Sequence, residues 1–301
     1  MGASVIEVRN LVKNYNGLTA VADICFEVYG GEIFTMVGPN GAGKTTTIEI
    51  IEGLRPADGG SVRVFGLEVS KAHRSIKERI GVSLQTTALF PNLTVSETLG
   101  LFASFFQHQA RPNDLLEKFG LTDKRRARVK HLSGGQQQRL GVALALVNDP
   151  EIVFLDEPTS GLDPQARQGL WDIIKELRSQ GKTVFLTTHY MEEAERLSDR
   201  VVILDYGKIL GLNEPEKLIA EHFQESAIQF TVAGADENIL RSLPGVSRCH
   251  VENDEVTLYS TDATRTLQGL MGLNLKVFDI HIRRASLEDV FLKLTGRRIR
   301  D

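Results

Sequence analysis

The sequence predicts an α/β fold with a parallel-sheet core, an antiparallel β layer and an inserted helical subdomain, followed by a small α+β domain. Short apolar runs alternate with helical patterns between residues 151 and 205, which is typical of strands buried on both faces of a parallel sheet. A helical stretch from 94 to about 149 precedes them. Beyond residue 222 the order becomes β-α-β-β-α-β, that of a ferredoxin-like unit.

The N-terminal part of the chain predicts an antiparallel layer and the first core strand. Alternating patterns and turn residues indicate the layer, with strands at 5–12, 24–28 and 61–65. Residues 32–37 predict a buried core strand, followed by a helix at 46–52, and a short strand at 80–84 ends at Gln85. The helical stretch then begins at Thr94, which has capping-box spacing to Glu97.

The later core elements are bounded by clear start and stop signals. Buried strands are predicted at 151–155 and 182–187. The helix between them begins after Asp163, a natural N-cap, with Pro164 at its first position and Gly181 beyond its end. A helix at 191–197 and a hairpin at 201–210 complete the core.

A change in composition at 213–222 separates two predicted domains, 1–215 and 222–301. The second has strands at 227–232, 246–251, 256–260 and 275–282, with a turn at Asn253 and Asp254, and helices at 236–243, 263–271 and 287–294. It contains no phosphate loop and no metal-ligand spacing.

Composition narrows the class of protein. The 301 residues are 42% hydrophobic and carry a net charge of -4, which disfavours nucleic acid as the main partner. Cys25 and Cys249 stand far apart, which argues against a zinc site and fits a reducing compartment. No signal peptide is predicted, and no apolar run approaches the roughly 20 residues of a membrane span. We therefore expect a soluble chain, so that any membrane role would have to act through a partner.

One stretch fits G-x-x-x-x-G-K-[ST] in full, between a predicted strand and a predicted helix. The motif is followed by Thr46, which adds a second hydroxyl. The predicted ATP-binding residues are therefore Gly38, Pro39, Asn40, Gly41, Ala42, Gly43, Lys44, Thr45 and Thr46. The glycines let backbone N–H groups converge on phosphate at a helix N-terminus. Lys44 should reach the β- and γ-phosphates, and Thr45 should ligate Mg²⁺. A glycine-rich turn without a ligand is the alternative, and both flanks disfavour it. The sequence therefore predicts a phosphate-loop NTPase fold.

Two carboxylates end the apolar run at 152–155, where parallel sheets place their ligands. Asp156 is the predicted second Mg²⁺ ligand, and Glu157 the general base that polarises the attacking water. Taken alone, the pair could equally be solvated acids at a strand end.

A second glycine-containing helix start follows Leu132. Ser133 is a good N-cap, and Gly134, Gly135 and Gln136 open the helix after it. One ATP can lie between this helix start and the phosphate loop only if the two approach from opposite directions, which suggests a dimer with ATP at its seam. From this segment alone, a plain capped helix start is also possible.

Taken together, these motifs resemble those of an ATP-binding cassette (ABC) ATPase. The resemblance spans residues 5–213 and includes the LSGGQ sequence at 132–136, the segment at 160–163 and His189. Residues 284–291 resemble the C-terminal accessory domain of drug-resistance (ABC-2) exporter ATPases.

The resemblance implies roles for several further residues. Tyr15 would stack on adenine, and Gln85 would contact Mg²⁺ and the attacking water. Ser133 and Gly135 would contact the γ-phosphate of ATP held by the other subunit, and Asp163 would lie at the dimer interface. His189 would contact the γ-phosphate and orient Glu157. The plainer alternatives are a strand tyrosine, a strand-end amide and a structural histidine.

The resemblance also implies a function: an ATP-hydrolysing, Mg²⁺-dependent subunit that powers a separate transmembrane permease, with export as the expected direction. Its second cassette could be identical or different, and it would sit peripherally on the cytoplasmic face of the membrane. The alternative is a soluble ABC ATPase acting on a ribosome or DNA. The single cassette, the net acidity and the lack of coiled coils or zinc-binding cysteines disfavour it. In a third reading, residues 222–301 form a regulatory or dimerisation module that dominates function.

Overall fold

The computed structural model describes residues 2–71, 73–85, 89–232, 236–252, 254–273 and 275–296. The chain divides into two compact units, with the division between Pro215 and Glu216. This boundary lies within the segment at 213–222 where the composition changes.

The first unit contains both predicted kinds of sheet and the inserted helices. Its strands are β1 (Ser4–Tyr15), β2 (Leu18–Tyr29), β3 (Ile33–Val37), β4 (Gly59–Val64), β5 (Leu67–Glu68), β6 (Ile80–Ser83), β7 (Ile152–Asp156), β8 (Thr183–Thr188), β9 (Arg200–Asp205) and β10 (Lys208–Asn213). Its helices are α1 (Lys44–Ile51), α2 (His73–Lys77), α3 (Val95–Ala103), α4 (Pro112–Lys118), α5 (Gly134–Leu144), α6 (Pro164–Ser179) and α7 (Met191–Leu197). The order β10-β9-β3-β8-β7-β6 forms the core sheet, and β2-β1-β4-β5 forms the antiparallel layer.

Aromatic packing joins the core sheet to the antiparallel layer. Phe154, Phe185 and Phe34 lie in register on adjacent parallel strands. Phe26 of β2 stacks on Phe34 with ring centroids 5.4 Å apart. Each buried aromatic side chain contributes about 1.5–3 kcal/mol of transfer free energy. The phenylalanine row thus fixes the face of the sheet on which the antiparallel layer lies.

The opposite face of the core sheet packs against the helices. Val153 and Leu155 of β7 point to this side and lie in one core cluster with Leu140 of α5 and Ile174 of α6. Because side chains alternate between faces along a strand, a strand covered on both faces is apolar throughout. This explains the continuous apolar runs, and the predicted fold class is confirmed.

The second unit has the predicted ferredoxin-like order. It comprises α8 (Pro215–His222, which starts at the division), β11 (Ser226–Thr231), α9 (Glu237–Arg241), β12 (Val246–Glu252), β13 (Glu255–Ser260), α10 (Ala263–Gly272), β14 (Phe278–Arg283) and α11 (Leu287–Thr295). Its antiparallel sheet has the order β12-β13-β11-β14. Phe230, Leu258 and Leu270 lie in its core.

The differences from the prediction are local. β1 and β2 extend farther than predicted because they pair with each other almost up to the turn at Asn16 and Gly17. The region of changed composition forms α8, and α2 is a further short helix that the sequence reading missed. The last strand begins at Phe278 rather than 275, and Asn253 of the predicted turn lies outside the described residues.

Candidate nucleotide-binding and hydrolysis site

The phosphate loop connects β3 to α1, as its motif predicts. Gly41 and Gly43 have φ angles of 82° and 101°, which L side chains rarely adopt. A Cβ on Gly38 would lie 2.1 Å from the carbonyl oxygen of Leu204. The glycines are therefore required by backbone conformation and by close packing. They leave the N-terminus of α1 as a concave cradle suited to an anion.

Lys44 lies buried inside this loop. Its Nζ donates to the carbonyl oxygens of Gly38 and Pro39, at 2.8 and 3.2 Å. The same nitrogen is 3.2 Å from Glu157 Oε1. Burial lowers the pKa of Lys44, and the negative charge of Glu157 opposes that change. The predicted phosphate ligand and the predicted base thus lie side by side.

The carboxylate of Glu157 is the centre of a polar cluster. Gln85 Nε2 donates to its Oε2 at 3.1 Å, and His189 Nδ1 is 3.2 Å from the same oxygen. The backbone N–H of Glu157 donates to Thr187 Oγ1 at 3.0 Å and lies 3.1 Å from the Thr187 carbonyl oxygen. Its φ of 47° lies in the left-handed region, a strained conformation for a residue with a Cβ. The structure therefore brings the three predicted catalytic side chains together.

Asp156 lies within hydrogen-bond reach of the Thr45 hydroxyl. The two side chains offer the kind of oxygen ligands that Mg²⁺ prefers. Burial raises the pKa of Asp156, while hydrogen bonds from Thr187 and Thr45 lower it in part. Within the described residues no three His, Cys, Asp or Glu side chains cluster as a metal cage. One carboxylate and one hydroxyl fit an ion whose remaining ligands are water and substrate phosphates. Magnesium there would polarise the phosphate oxygens.

Tyr15 ends β1 and is half-buried. Its ring is approached by two cations, with Arg55 Cζ 5.3 Å and Lys13 Nζ 5.5 Å from the ring centroid. Lys13 is paired with Asp58 at 2.8 Å. The side chain is thus oriented by its neighbours, as a platform for stacking requires.

Ser133 is exposed and caps α5 through a capping box. It accepts from the backbone N–H of Gln136 at 3.3 Å, and its own N–H donates to Gln136 Oε1 at 3.0 Å. These bonds hold the hydroxyl at the helix start, whereas Lys44 contacts the phosphate loop and Glu157. Within the described part of the chain, the contacts of Ser133 and those of Lys44 thus belong to two separate helix starts.

Asp163 caps α6 by accepting from the N–H of Ala166 at 2.8 Å. A Cβ on Gly135 would lie 3.5 Å from Ala166 Cβ, so the LSGGQ segment packs against the first turn of α6. This contact places Asp163 close to the start of α5.

Two buried residues near the site were not predicted from the sequence. Thr187 binds both Asp156 and Glu157. Its position two residues before His189 is the feature of the sequence from which it could have been predicted. Glu193 is fully buried, accepts from Trp171 Nε1 at 2.7 Å and has a pKa raised by burial. Only packing between α6 and α7 reveals it.

Among the described residues, no helix is both long enough and apolar enough to cross a membrane.

Comparisons with known proteins agree with this geometry. The ABC transporter family model matches residues 21–160, and the model of the Nodulation factor export protein NodI C-terminal domain matches 237–296. The Nod factor export ATP-binding protein I of Paraburkholderia xenovorans is 39% identical over 308 residues, with 100% of both chains covered. The linearmycin resistance ATP-binding protein LnrL of Bacillus subtilis is 35% identical and covers 99% of this chain and 100% of its own length.

Solved structures of ATP-binding cassettes give the same result over about 70% of the chain. A dimeric ATP-binding cassette in a post-hydrolysis state, bound to ADP and phosphate, has a TM-score of 0.64 and 27% identity. It covers 69% of this chain and 98% of its own. An ATP-binding subunit of an ABC transporter has a TM-score of 0.66 and 29% identity, covering 72% and 93%. The chain therefore belongs to the ABC transporter family of ATP-binding proteins and is an ATPase of that family.

Proposed function

We propose that this ATPase drives export through a separate transmembrane permease and works as one of two paired cassettes on the cytoplasmic face of the membrane. The meeting of Lys44, Gln85, Glu157 and His189 beside the phosphate loop is the observation that carries the proposal. Two relatives are named for Nod factor export and for linearmycin resistance, and these names support an outward direction.

Each group at the site has a proposed role in hydrolysis. The phosphate loop and Lys44 bind the triphosphate, while Thr45 and Asp156 hold Mg²⁺. Gln85 contacts the ion and the attacking water. Glu157 takes the proton of that water, and His189 holds the Glu157 carboxylate and contacts the γ-phosphate.

A second cassette completes the proposed site. Ser133, Gly134, Gly135 and Gln136 of one chain would contact the γ-phosphate bound by the other, and Asp163 would lie at their interface. Moving such a pair from mostly open to mostly closed requires about 5.5 kcal/mol of differential binding. A γ-phosphate that bridges both chains supplies that difference, and hydrolysis removes it. The exposure of Ser133 supports this arrangement.

We assign residues 1–215 to the cassette and 222–301 to an accessory domain that regulates or dimerises. All groups proposed to bind ATP lie in the cassette, so the accessory domain acts on pairing or on the permease. The pair could be a homodimer or a heterodimer. No nucleic acid is needed for any proposed step.

Reconstitution tests the transport proposal. The tagged chain is purified from membranes, its multi-helix partner is identified, and the two are placed in liposomes. We expect ATP turnover to rise in the complex and to vanish with Lys44→Ala. Turnover that responds to ribosomes or DNA, with no membrane protein bound, would contradict the proposal.

A further inference from the structure

Arg55 is tied to the helix that starts at the phosphate loop. Its Nε donates to Glu49 Oε2 at 2.6 Å, and its backbone N–H donates to the carbonyl oxygen of Glu49 at 3.2 Å. The N–H of Leu54 donates to the same carbonyl at 2.8 Å. Side chain and backbone are thus fixed to one residue of α1.

The guanidinium held in this way lies over Tyr15. Its central carbon is 5.3 Å from the ring centroid, within the range of a cation–π interaction. Arg55 retains 37% side-chain exposure and Glu49 25%, so the contact is only partly desolvated. At a partly exposed site an interaction of this kind contributes modestly to the energy, so its main effect is to orient the ring.

Helix α1 links Glu49 directly to the phosphate loop. Thr45 and Glu49 are four residues apart in α1, so they share one face of the helix. A rigid α1 therefore connects the phosphate cradle, through Glu49 and Arg55, to the Tyr15 ring. Lys13, the other cation over the ring, belongs to β1 itself and cannot make this connection.

We propose that Arg55, held by Glu49, is a positioning residue that fixes the Tyr15 ring at a set distance from the phosphate loop. The ring is then in place before the base arrives, which reduces the entropy lost on binding. The inference rests on the proposed stacking of adenine on Tyr15. It adds a specific link between recognition of the base and recognition of the phosphates.

The C-terminal unit contains a matched control. Arg248 pairs with Glu225 at 2.8 Å, and its Cζ is 4.4 Å from the ring centroid of Tyr259. This trio has the same chemistry as Glu49, Arg55 and Tyr15, in the unit that holds none of the residues proposed to bind nucleotide.

Calorimetry on the full-length chain tests the inference with ADP and pyrophosphate, which share the phosphate site, whereas pyrophosphate lacks the adenosine. We expect Arg55→Lys to weaken ADP binding about 2–5-fold, because the flexible ammonium keeps a charge near the ring but loses the fixed geometry of the guanidinium held by Glu49. Glu49→Gln should act in the same direction. Pyrophosphate binding should not change, and Arg248→Lys should leave both ligands unaffected.

A double mutant gives the decisive comparison. In a Tyr15→Ala background, Arg55→Lys should have no further effect on ADP, because the two residues act as one unit. Equal weakening of pyrophosphate, an undiminished effect without the tyrosine, or no effect on ADP at all would each overturn the inference. If Tyr15→Ala alone binds ADP normally, the stacking role under the proposed function also fails. If Tyr15→Ala weakens ADP binding but Arg55→Lys does not, the stacking role of Tyr15 stands and only the inference about Arg55 fails.

Discussion

Glu157 is the residue on which the chemistry of the site converges. Its carboxylate contacts Lys44 through one oxygen, and Gln85 and His189 through the other. The strained backbone at φ 47° is held by two contacts with Thr187. A base held by so many partners can be aimed at water without moving first.

Replacing Glu157 by glutamine keeps its shape and removes its basicity. We expect Glu157→Gln to slow phosphate release on the order of 10²–10⁴-fold, the usual contribution of a general base, while ATP still binds. The variant should accumulate as an ATP-bound dimer in light scattering. Glu151→Gln, at the opposite end of β7, is the control and should hydrolyse normally. Near-normal turnover by Glu157→Gln would remove this residue from the role.

A different carboxyl, that of Glu52, lies at the end of α1 and is only 3% exposed. Neither of its oxygens has a hydrogen-bond partner within the described structure. Burial, with the nearby charges of Asp156 and Glu49, raises its pKa to about 8. The folded protein therefore binds a proton that the unfolded chain releases above about pH 4.5.

It follows that stability should fall as pH rises from about 4.5 to about 8 and then level off. Glu52→Gln, which cannot ionise, should lose this dependence. It should be more stable than wild type by up to about 3 kcal/mol at pH 7 and nearly equal to it near pH 4.5. Urea unfolding without nucleotide measures the difference, and the exposed Glu176→Gln is the control. Parallel pH profiles for wild type and Glu52→Gln would contradict the assignment.

Among the elements, α1 and α5 both start with glycines but are completed differently. At α1 the side chain of Lys44 folds back into the loop. At α5 the first turn is closed by the capping box of Ser133 and Gln136, and the serine remains exposed. An exposed helix start in a glycine-rich segment is available to an anion that another molecule carries.

An arginine in place of Ser133 should distinguish the loss of the helix cap from the loss of contact between two chains. We expect Ser133→Arg to bind ATP with wild-type affinity but to prevent the ATP-bound dimer in a Glu157→Gln background. Loss of the cap costs about 1 kcal/mol in either case, so Ser286→Arg, which removes the capping box of α11, is the matched control. Light scattering that finds Ser133→Arg as dimeric as the control would exclude contact across the seam.

The whole molecule combines two units with separate cores. The phosphate loop, Gln85, Asp156, Glu157 and His189 all lie before Pro215. The second unit carries its own sheet and its own apolar cluster. This separation predicts that removing the second unit can change ATP hydrolysis or pairing without changing the affinity for ATP.

Ending the chain after Pro215 tests that expectation. The shortened protein should bind ATP within about twofold of the full chain, because every proposed ligand of ATP remains. Turnover per dimer, or the tendency to pair, should change if the accessory domain regulates or dimerises. Calorimetry, sizing and phosphate release distinguish these effects. A large loss of ATP affinity in a folded fragment would show that the two units share the nucleotide site.

The sequence by itself determined the fold class, the phosphate loop and the two carboxylates at the end of β7. These features depend on neighbours along the chain, because glycine conformations, caps and apolar runs act locally. Only the tertiary structure decided that Gln85 and His189, far from Glu157 in sequence, meet on one of its oxygens. The links of Thr187 to Asp156, of Arg55 to Tyr15 and of Glu193 to Trp171 also needed it. Such contacts join separate strands and helices, and their geometry is fixed by packing of the sheet rather than by spacing along the chain.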